Sequence, residues 1–446
     1  MDNSVRGILS GKRIWIAVFL FFNLLINYID RVNLSVAAPV IAKEFHWNPA
    51  TMGWVFSAYL WTYTLCLVPT GAFTDRFGAR RVSAVAIALW SAAAIATGGV
   101  VNFTTMCATR LGLGIGEATT FPVAGKLIRQ WFPARERGIA GAIFHCGGHA
   151  APALALPLVA WIVVTAGWRW SFVILGALGF VWLVFWLLYY RQPEECPWLT
   201  EEERQLILTT RDSAPTAAAH SRNLGGKIEL KAVLPGLLKQ RSMWGVMLTQ
   251  GCSTYFNYVF LAWLPTYLVQ ARGLHLVKAG FIGAIPYLVA MVAVLGFSKL
   301  SDRLLTAEGI SQGKRRNIVI TLLLCCSVVV TINFVESQWA LLVVLSLAMS
   351  FNLTCLTLNL ILTNDLLENA HLAATVLAMD AVMANVFGVF APIVTGYIVK
   401  ATGSFAAAFY IQGGIVIVAA LISYTFTRKP IRDPRAMREA EIAAAQ

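Results

Sequence analysis

Apolar runs long enough to cross a bilayer recur along the whole chain, separated mostly by short polar stretches. A hydrocarbon core of about 30 Å is crossed by about 20 helical residues, and each run meets that length. Twelve candidate spans begin near Ile14, Thr51, Val82, Thr104, Gly138, Arg169, Met243, Val277, Arg316, Trp339, Leu372 and Phe405. The alternating strands of about ten residues that a membrane barrel needs are absent, because the runs are continuous and rich in Leu, Ala and Gly. The pattern predicts an all-α integral membrane protein of twelve transmembrane helices.

These spans divide six and six around Arg191 to Arg241, the one long polar stretch between them. The expected organisation is a six-helix bundle over 1–190, a central loop over 191–241, a second six-helix bundle over 242–428 and a tail over 429–446. Within the loop, Thr200-Glu201-Glu202-Glu203 has capping-box spacing and heads an apolar-periodic run to Leu208, which predicts a short interfacial helix. Asp212 to Gly226 reads as a flexible tether and Lys227 to Gln240 as a second surface segment, both scaffolding. The first run follows Arg6, Lys12 and Arg13, is too long for a signal segment and lacks a small-residue cleavage site, so it is expected to stay as the first helix.

Composition agrees with lipid as the solvent: of the 446 residues 58% are hydrophobic and 13% charged, too apolar for a soluble domain of this size. A net charge of +13 would by itself suggest nucleic acid as a partner, but the placement of the cations excludes it. Arg76, Arg80 and Arg81, then Arg129, Arg135 and Arg137, then the central loop, then Lys314, Arg315 and Arg316 occupy alternate loops. The opposite loops hold scattered cations such as Lys43, Arg169, Arg272, Lys278 and Lys400. By the positive-inside rule both termini are cytoplasmic. Of the 8 cysteines all but Cys196 lie in apolar spans and match neither a disulfide framework nor a zinc site. No GxxxxGK[ST] phosphate loop is present, so ATP hydrolysis is not the energy source, and no cofactor or metal is expected.

Charges inside the spans carry the candidate chemistry. Asp30 and Arg31 lie in the first run, where a charged side chain costs a few kcal/mol and is kept for moving ions or solutes, or else snorkels from the helix end as an anchor. Arg110 and Glu117 are seven residues apart, two turns, on one face of span four. Arginine suits an anion site because its planar fork meets a carboxylate bidentately and stays charged. Asp30 with Arg110, or Glu117 with Arg31, are alternatively fixed ion pairs that lock helices. His145 and His149, at i and i+4 in span five, are open to three readings: metal ligands, titrating groups, or packing and hydrogen-bonding residues. Lys126 reads as a snorkelling anchor, and Asp380 in span eleven is an acid with no counterpart in the pattern.

The strongest local motif, Gly71-Ala-Phe-Thr-Asp75-Arg76-Phe-Gly78-Ala-Arg80-Arg81, bridges spans two and three, with glycines expected to let helix ends approach closely. A looser copy, Ser301-Asp302-Arg303 with Lys314-Arg315-Arg316, follows span eight, as duplicated transporter halves predict. The Gly71 to Arg81 stretch resembles the loop motif of the major facilitator superfamily. Tyr28-x-Asp30-Arg31, Arg110 to Glu117 with Pro122, and Trp131-Phe132-Pro133-x-Arg135-Glu136-Arg137-Gly138 resemble its anion:cation symporters, a group including galactonate, glucarate and tartrate permeases. Trp61 to Cys66 and Phe260 to Leu268 are most similar to the sugar-acid members.

The resemblance implies a proton-coupled symporter in a bacterial cytoplasmic membrane, importing a small organic anion, a sugar acid first, by alternating access between two six-helix bundles of the major facilitator fold. It implies Asp30 and Glu117 as proton carriers, Arg31 and Arg110 as anion-binding or gating groups, and Tyr28, Tyr63, Gln250 and Asn385 as contacts to hydroxyls. Interhelical bonding is the alternative use of those last four. Gly71, Asp75, Arg76, Gly78 and Arg80 become the gating motif, and His145 and His149 accessory residues where relatives tend to carry an amide. One chain holds both halves, so a monomer suffices, with protons, the anion and the bilayer as partners. Tartrate or an aromatic acid as cargo, and an exchanger without proton coupling, stay open. A sensor would carry a soluble output domain, and an intramembrane enzyme a Ser-His or paired-Asp constellation, whereas these acids are each accompanied by an arginine.

Overall fold

The computed structural model describes residues 11–211, 230–304 and 313–435, so Arg6, the tether from Asp212 to Gly226 and the end of the tail lie outside the described residues. The side chain of Asp302 lies outside them too. Helices make up nearly all of the described chain, with one isolated bridge between Leu367 and Ile431. A helix closes every backbone hydrogen bond within its own segment, which is what lipid demands of a spanning chain.

The first helices are α1 (Ile14–Glu44), α2 (Pro49–Phe77), α3 (Ala79–Thr97), α4 (Phe103–Glu117), α5 (Thr120–Trp131), α6 (Arg137–Ala166) and α7 (Trp168–Tyr189). Two shorter ones follow, α8 (Glu201–Arg211) and α9 (Leu230–Leu238). The last are α10 (Arg241–Gln270), α11 (Leu276–Leu304), α12 (Lys314–Cys326), α13 (Gln338–Asp365), α14 (Ala373–Thr402) and α15 (Ala406–Phe426). A helix begins within a turn of each start read from the apolar pattern. Among the described residues, nine helices are long and apolar enough to cross a membrane. The long helices outside that set, α2 and α10, are diluted by polar residues such as Tyr59, Thr62, Tyr63, Thr249, Gln250 and Ser253.

Span four is not one helix. It breaks after Glu117, where Gly114 and Gly116 weaken the helix and Thr119 Oγ turns back onto the Gly116 carbonyl at 2.9 Å. Gly114 has a second role, since a Cβ there would lie 2.1 Å from the Tyr59 carbonyl oxygen. Only glycine lets α4 come that close to α2, and this draws Tyr59 and Tyr63 toward the buried end of α4.

Two compact units emerge, one from Met1–Thr216 with Leu261–Ala284, the other from Ala217–Phe260 with Ile285–Gln446. In the first, α1 packs on α6 and α3 on α7, while Val181, Val184, Phe185 and Leu188 of α7 stay exposed, as a face against acyl chains should. In the second, Val233, Leu237, Met243, Val246, Met247, Leu372, Val376 and Ile431 form one buried cluster. Ile431 reaches it because its backbone pairs with Leu366 and Glu368.

The helix expected after Thr200 is present, and the Glu203 N–H donates to Thr200 Oγ at 3.3 Å. The reciprocal half of a capping box is replaced by something else. Glu203 accepts the backbone N–H groups of Lys12 and Arg13, both at 3.0 Å, and the Arg13 guanidinium at 2.8 Å. Arg13 also grips Glu136 with two bonds of 2.8 and 2.9 Å. All three side chains are buried, and the carboxylate sits on the positive N-terminal end of α1.

Candidate functional site

Arg31 and Glu117 meet in a buried ion pair, Nε to Oε2 at 2.8 Å. The guanidinium carbon lies 4.7 Å from the ring centre of Tyr28, 5.1 Å from Tyr59 and 5.0 Å from Tyr63. Helix spacing builds this arrangement. Tyr28 and Arg31 are three apart on α1, Tyr59 and Tyr63 four apart on α2, and Glu117 ends α4. Ring faces attract a guanidinium most strongly where water is excluded.

Asp30 and Arg110 complete the charged set, at 2% and 1% exposure. Asp30 interacts electrostatically with Glu117, Arg110 and Arg31, so two acids and two arginines share one buried region of the first unit. Arg110 donates to Thr97 Oγ at 3.0 Å and lies 4.9 Å from the ring centre of Phe172. Among the described residues, Asp30 Oδ2, Glu117 Oε1 and Arg110 Nε have no hydrogen-bond partner. Such a set is balanced in formal charge yet short of hydrogen bonds. An incoming carboxylate could take Arg31 while a proton neutralises the displaced Glu117.

The loop motif is fastened differently from the expectation. Asp75 is exposed and bonds Lys126 Nζ at 3.2 Å, and the same ammonium accepts the role of a helix C-cap by donating to the Thr74 carbonyl at 2.7 Å. Lys126 is thus a tie between α5 and α2 rather than a lone snorkelling anchor. Arg76 is exposed beside the Phe77 ring, and Arg80 donates to the Leu187 carbonyl at 2.7 Å. Gly78 has φ +83°, which only glycine adopts without strain, while a Cβ on Gly71 would meet nothing within 4 Å. Close approach therefore explains neither glycine; a turn explains Gly78.

The expected residues of the second unit form an uncharged set. Gln250 is buried on α10 and its Oε1 accepts from Asn359 Nδ2 of α13 at 2.9 Å, which also donates to the Val246 carbonyl at 3.1 Å. Asn385 is half-buried on α14. Gln412 of α15 donates to the Phe256 carbonyl at 3.1 Å. On α6, His145 is exposed and lies beside the rings of Phe144 and Phe121, and His149 is half-buried. Among the described residues no three His, Cys, Asp or Glu side chains are grouped to hold a metal.

Sequence reasoning missed Tyr59 and the Gln250–Asn359 bond. Tyr59 stands one turn before Tyr63, a spacing that marks it as a neighbour at the same guanidinium. The amide bond joins two helices far apart in the chain and had no local signal.

The sequence model described as "Major Facilitator Superfamily" matches residues 20–379 and 310–444. A relative named "Probable galactarate/D-glucarate transporter GudP" from Bacillus subtilis (strain 168) is 32% identical over 442 residues, 95% of this chain and 94% of its own. A "D-galactonate transporter" from Escherichia coli O6:H1 is 31% identical over 94% of this chain and 97% of its own. The crystal structure of a bacterial homologue of the human lysosomal transporter Spinster, inward-facing and occupied, shares the fold with a TM-score of 0.71 at 16% identity, covering 94% of this chain and 97% of that one. With helices long and apolar enough for a bilayer and a charged set buried among them, the chain belongs to the Major Facilitator Superfamily, as a multi-pass membrane transporter and not an enzyme.

Proposed function

We propose that this protein is a proton-coupled symporter importing a sugar acid, an aldonate or aldarate, by alternating access across a bacterial cytoplasmic membrane. In this reading the chain makes twelve crossings as two six-helix halves with both termini cytoplasmic. The nine apolar helices are joined by α2, by α10 and by the broken pair α4 and α5. The observation that carries the proposal is the Arg31–Glu117 pair at 2.8 Å beneath Tyr28, Tyr59 and Tyr63, with Asp30 and Arg110 in electrostatic reach. The relatives named for galactarate, glucarate and galactonate support the cargo class.

The cycle follows from charge balance. A sugar-acid carboxylate takes the Arg31 fork, which frees Glu117, and a proton neutralises that carboxyl so that no bare charge stays buried. Asp30 beside Arg110 is the other carrier. Gln250 and Asn385 hold hydroxyls, and the Asp75–Lys126 tie with Arg76 and Arg80 acts as the gate. Three tyrosine rings at one guanidinium favour a second reading, an aromatic carboxylate stacked there.

The test is uptake into proteoliposomes across labelled sugar acids, tartrate and aromatic acids, with and without an inward proton gradient. Sugar-acid accumulation that collapses with the gradient is the expected result. Accumulation indifferent to the gradient would make the protein an exchanger, and selective uptake of aromatic acids would move the assignment to the second reading. Asp30→Asn and Glu117→Gln should abolish accumulation while substrate-for-substrate counterflow persists; retained accumulation in both would remove them as proton carriers.

A further inference from the structure

Of the buried acids outside the proposed cycle, Glu136, Glu203 and Asp433 are bonded to arginines, and Asp380 differs from them. Asp380 on α14 is 0% exposed, and neither carboxyl oxygen has a hydrogen-bond partner among the described residues. Among the described residues no ion pair to it is formed. The titratable groups on the elements packed against α14 are Arg241, Cys252, Tyr255, Tyr258 and Tyr267 on α10, Cys355 and Asp365 on α13, Tyr410 and Tyr424 on α15, and His371 just before α14. Asp365 is bonded to Arg315 at 2.8 Å, and near the tail Glu368 is bonded to Arg432 at 3.3 Å and Asp433 to Arg435 at 3.0 Å.

The fold places this carboxyl in a defined seam. Val376, one turn before Asp380, and Met383, one turn after, pack with Met379 on the cluster containing Val246 and Met247 of α10. One turn further along α10 is Gln250, bonded to Asn359. Asp380 therefore lies on the stretch of α14 that packs against this apolar cluster. An ionised carboxylate in such surroundings, with neither donor nor cation, costs more than any packing gain returns, so it needs a counter-charge. A metal cation takes several oxygen ligands, whereas Val376, Met379 and Met383 offer none. A proton needs one oxygen only.

We infer that Asp380 is a further proton-binding carboxyl of the transport cycle, loaded while α14 packs it away from water and unloaded to water when that seam opens. The proton comes from water on one side, rests on one carboxyl oxygen and returns to water on the other. This adds a carrier in the second unit to Asp30 and Glu117 of the first, and it rests on the proton-coupled reading.

Two measurements test it. Infrared difference spectra of the purified protein in lipid at neutral pH should show a protonated-carboxyl C=O band in the wild type and in Asp380→Glu, lost in Asp380→Asn. Identical spectra for wild type and Asp380→Asn would overturn the inference whatever the transport result. In proteoliposomes, Asp380→Asn should move one proton fewer per substrate than wild type, with counterflow reporting that the variant is folded. An unchanged proton count in the variant, beside gradient-driven uptake in the wild type, would overturn this inference and leave the proposed function standing. Uptake that requires sodium ions, and loses that requirement in Asp380→Asn, would overturn it in favour of a cation site. A wild type that moves no protons with substrate would overturn the proposed function, and the transport role of Asp380 with it.

Discussion

Arg31 and Glu117 in the first unit meet at 2.8 Å as opposite charges, while Gln250 and Asn359 in the second meet at 2.9 Å as neutral amides. Both contacts are buried and both join separate helices, yet they respond differently to a ligand. A buried ion pair is held in a bargain between desolvation and attraction, so an arriving carboxylate or proton changes its state sharply. An amide pair carries no net charge to be rebalanced, and its interhelical bond in a bilayer contributes only about 0.6 kcal/mol on average. In the proposed cycle, the first contact serves energy coupling and the second the orientation of hydroxyls.

The largest expected effect breaks the charged side of this comparison. Arg31→Ala should cost about 3–5 kcal/mol by leaving Glu117 buried without its partner, read as a lowered midpoint in thermal unfolding. The double variant Arg31→Ala with Glu117→Gln should recover much of that stability while accumulation stays lost. Failure of the double variant to recover would mean that the pair is not what the single substitution broke.

Glu203→Ala separates buried charge as such from charge at the site. It leaves the Lys12 and Arg13 N–H groups without their acceptor, and a loss of about 1–3 kcal/mol in unfolding is expected, with the proton count per substrate unchanged. A changed proton count would extend the coupling machinery to the end of α1. Asp30→Asn should instead leave the unfolding midpoint nearly unmoved and abolish gradient-driven accumulation while counterflow persists. The smallest effect is on the neutral side. A double-mutant cycle of Gln250→Ala and Asn359→Ala should give a coupling of about 0.6 kcal/mol in stability and a several-fold rise in KM. A coupling as large as that of the ion pair would erase the distinction between the two units.

Much of the charged site was legible because charge is rare in apolar runs: Asp30, Arg31, Arg110 and Glu117 each stand out against Leu, Ile, Gly and Ala. The pair of Glu117 with Arg31 was among the matches read from the sequence and is formed in the structure, although nothing local prefers it over the others. Lys126 misled because a lysine near a helix end resembles an anchor; Asp75, its partner, lies on another helix. Gly71 misled in the opposite direction, as a motif glycine with no steric need in this conformation. Glu203 carried a capping-box signal that was half correct, and its carboxylate instead reached across the fold to the first turn of α1.

The sequence by itself determined the solvent, the helical class, the starts of the helices and the residues able to carry charge into the membrane. These depend on apolar content and on spacing along a helix, both local properties. Only the tertiary structure decided that Arg31 takes Glu117, that three tyrosines surround the guanidinium, that Lys126 holds Asp75 and that Asp380 is buried with no hydrogen-bond partner among the described residues. The physical reason is that in a low-dielectric interior the energy of a charge is set by its nearest few neighbours, and helix packing brings those from distant parts of the chain.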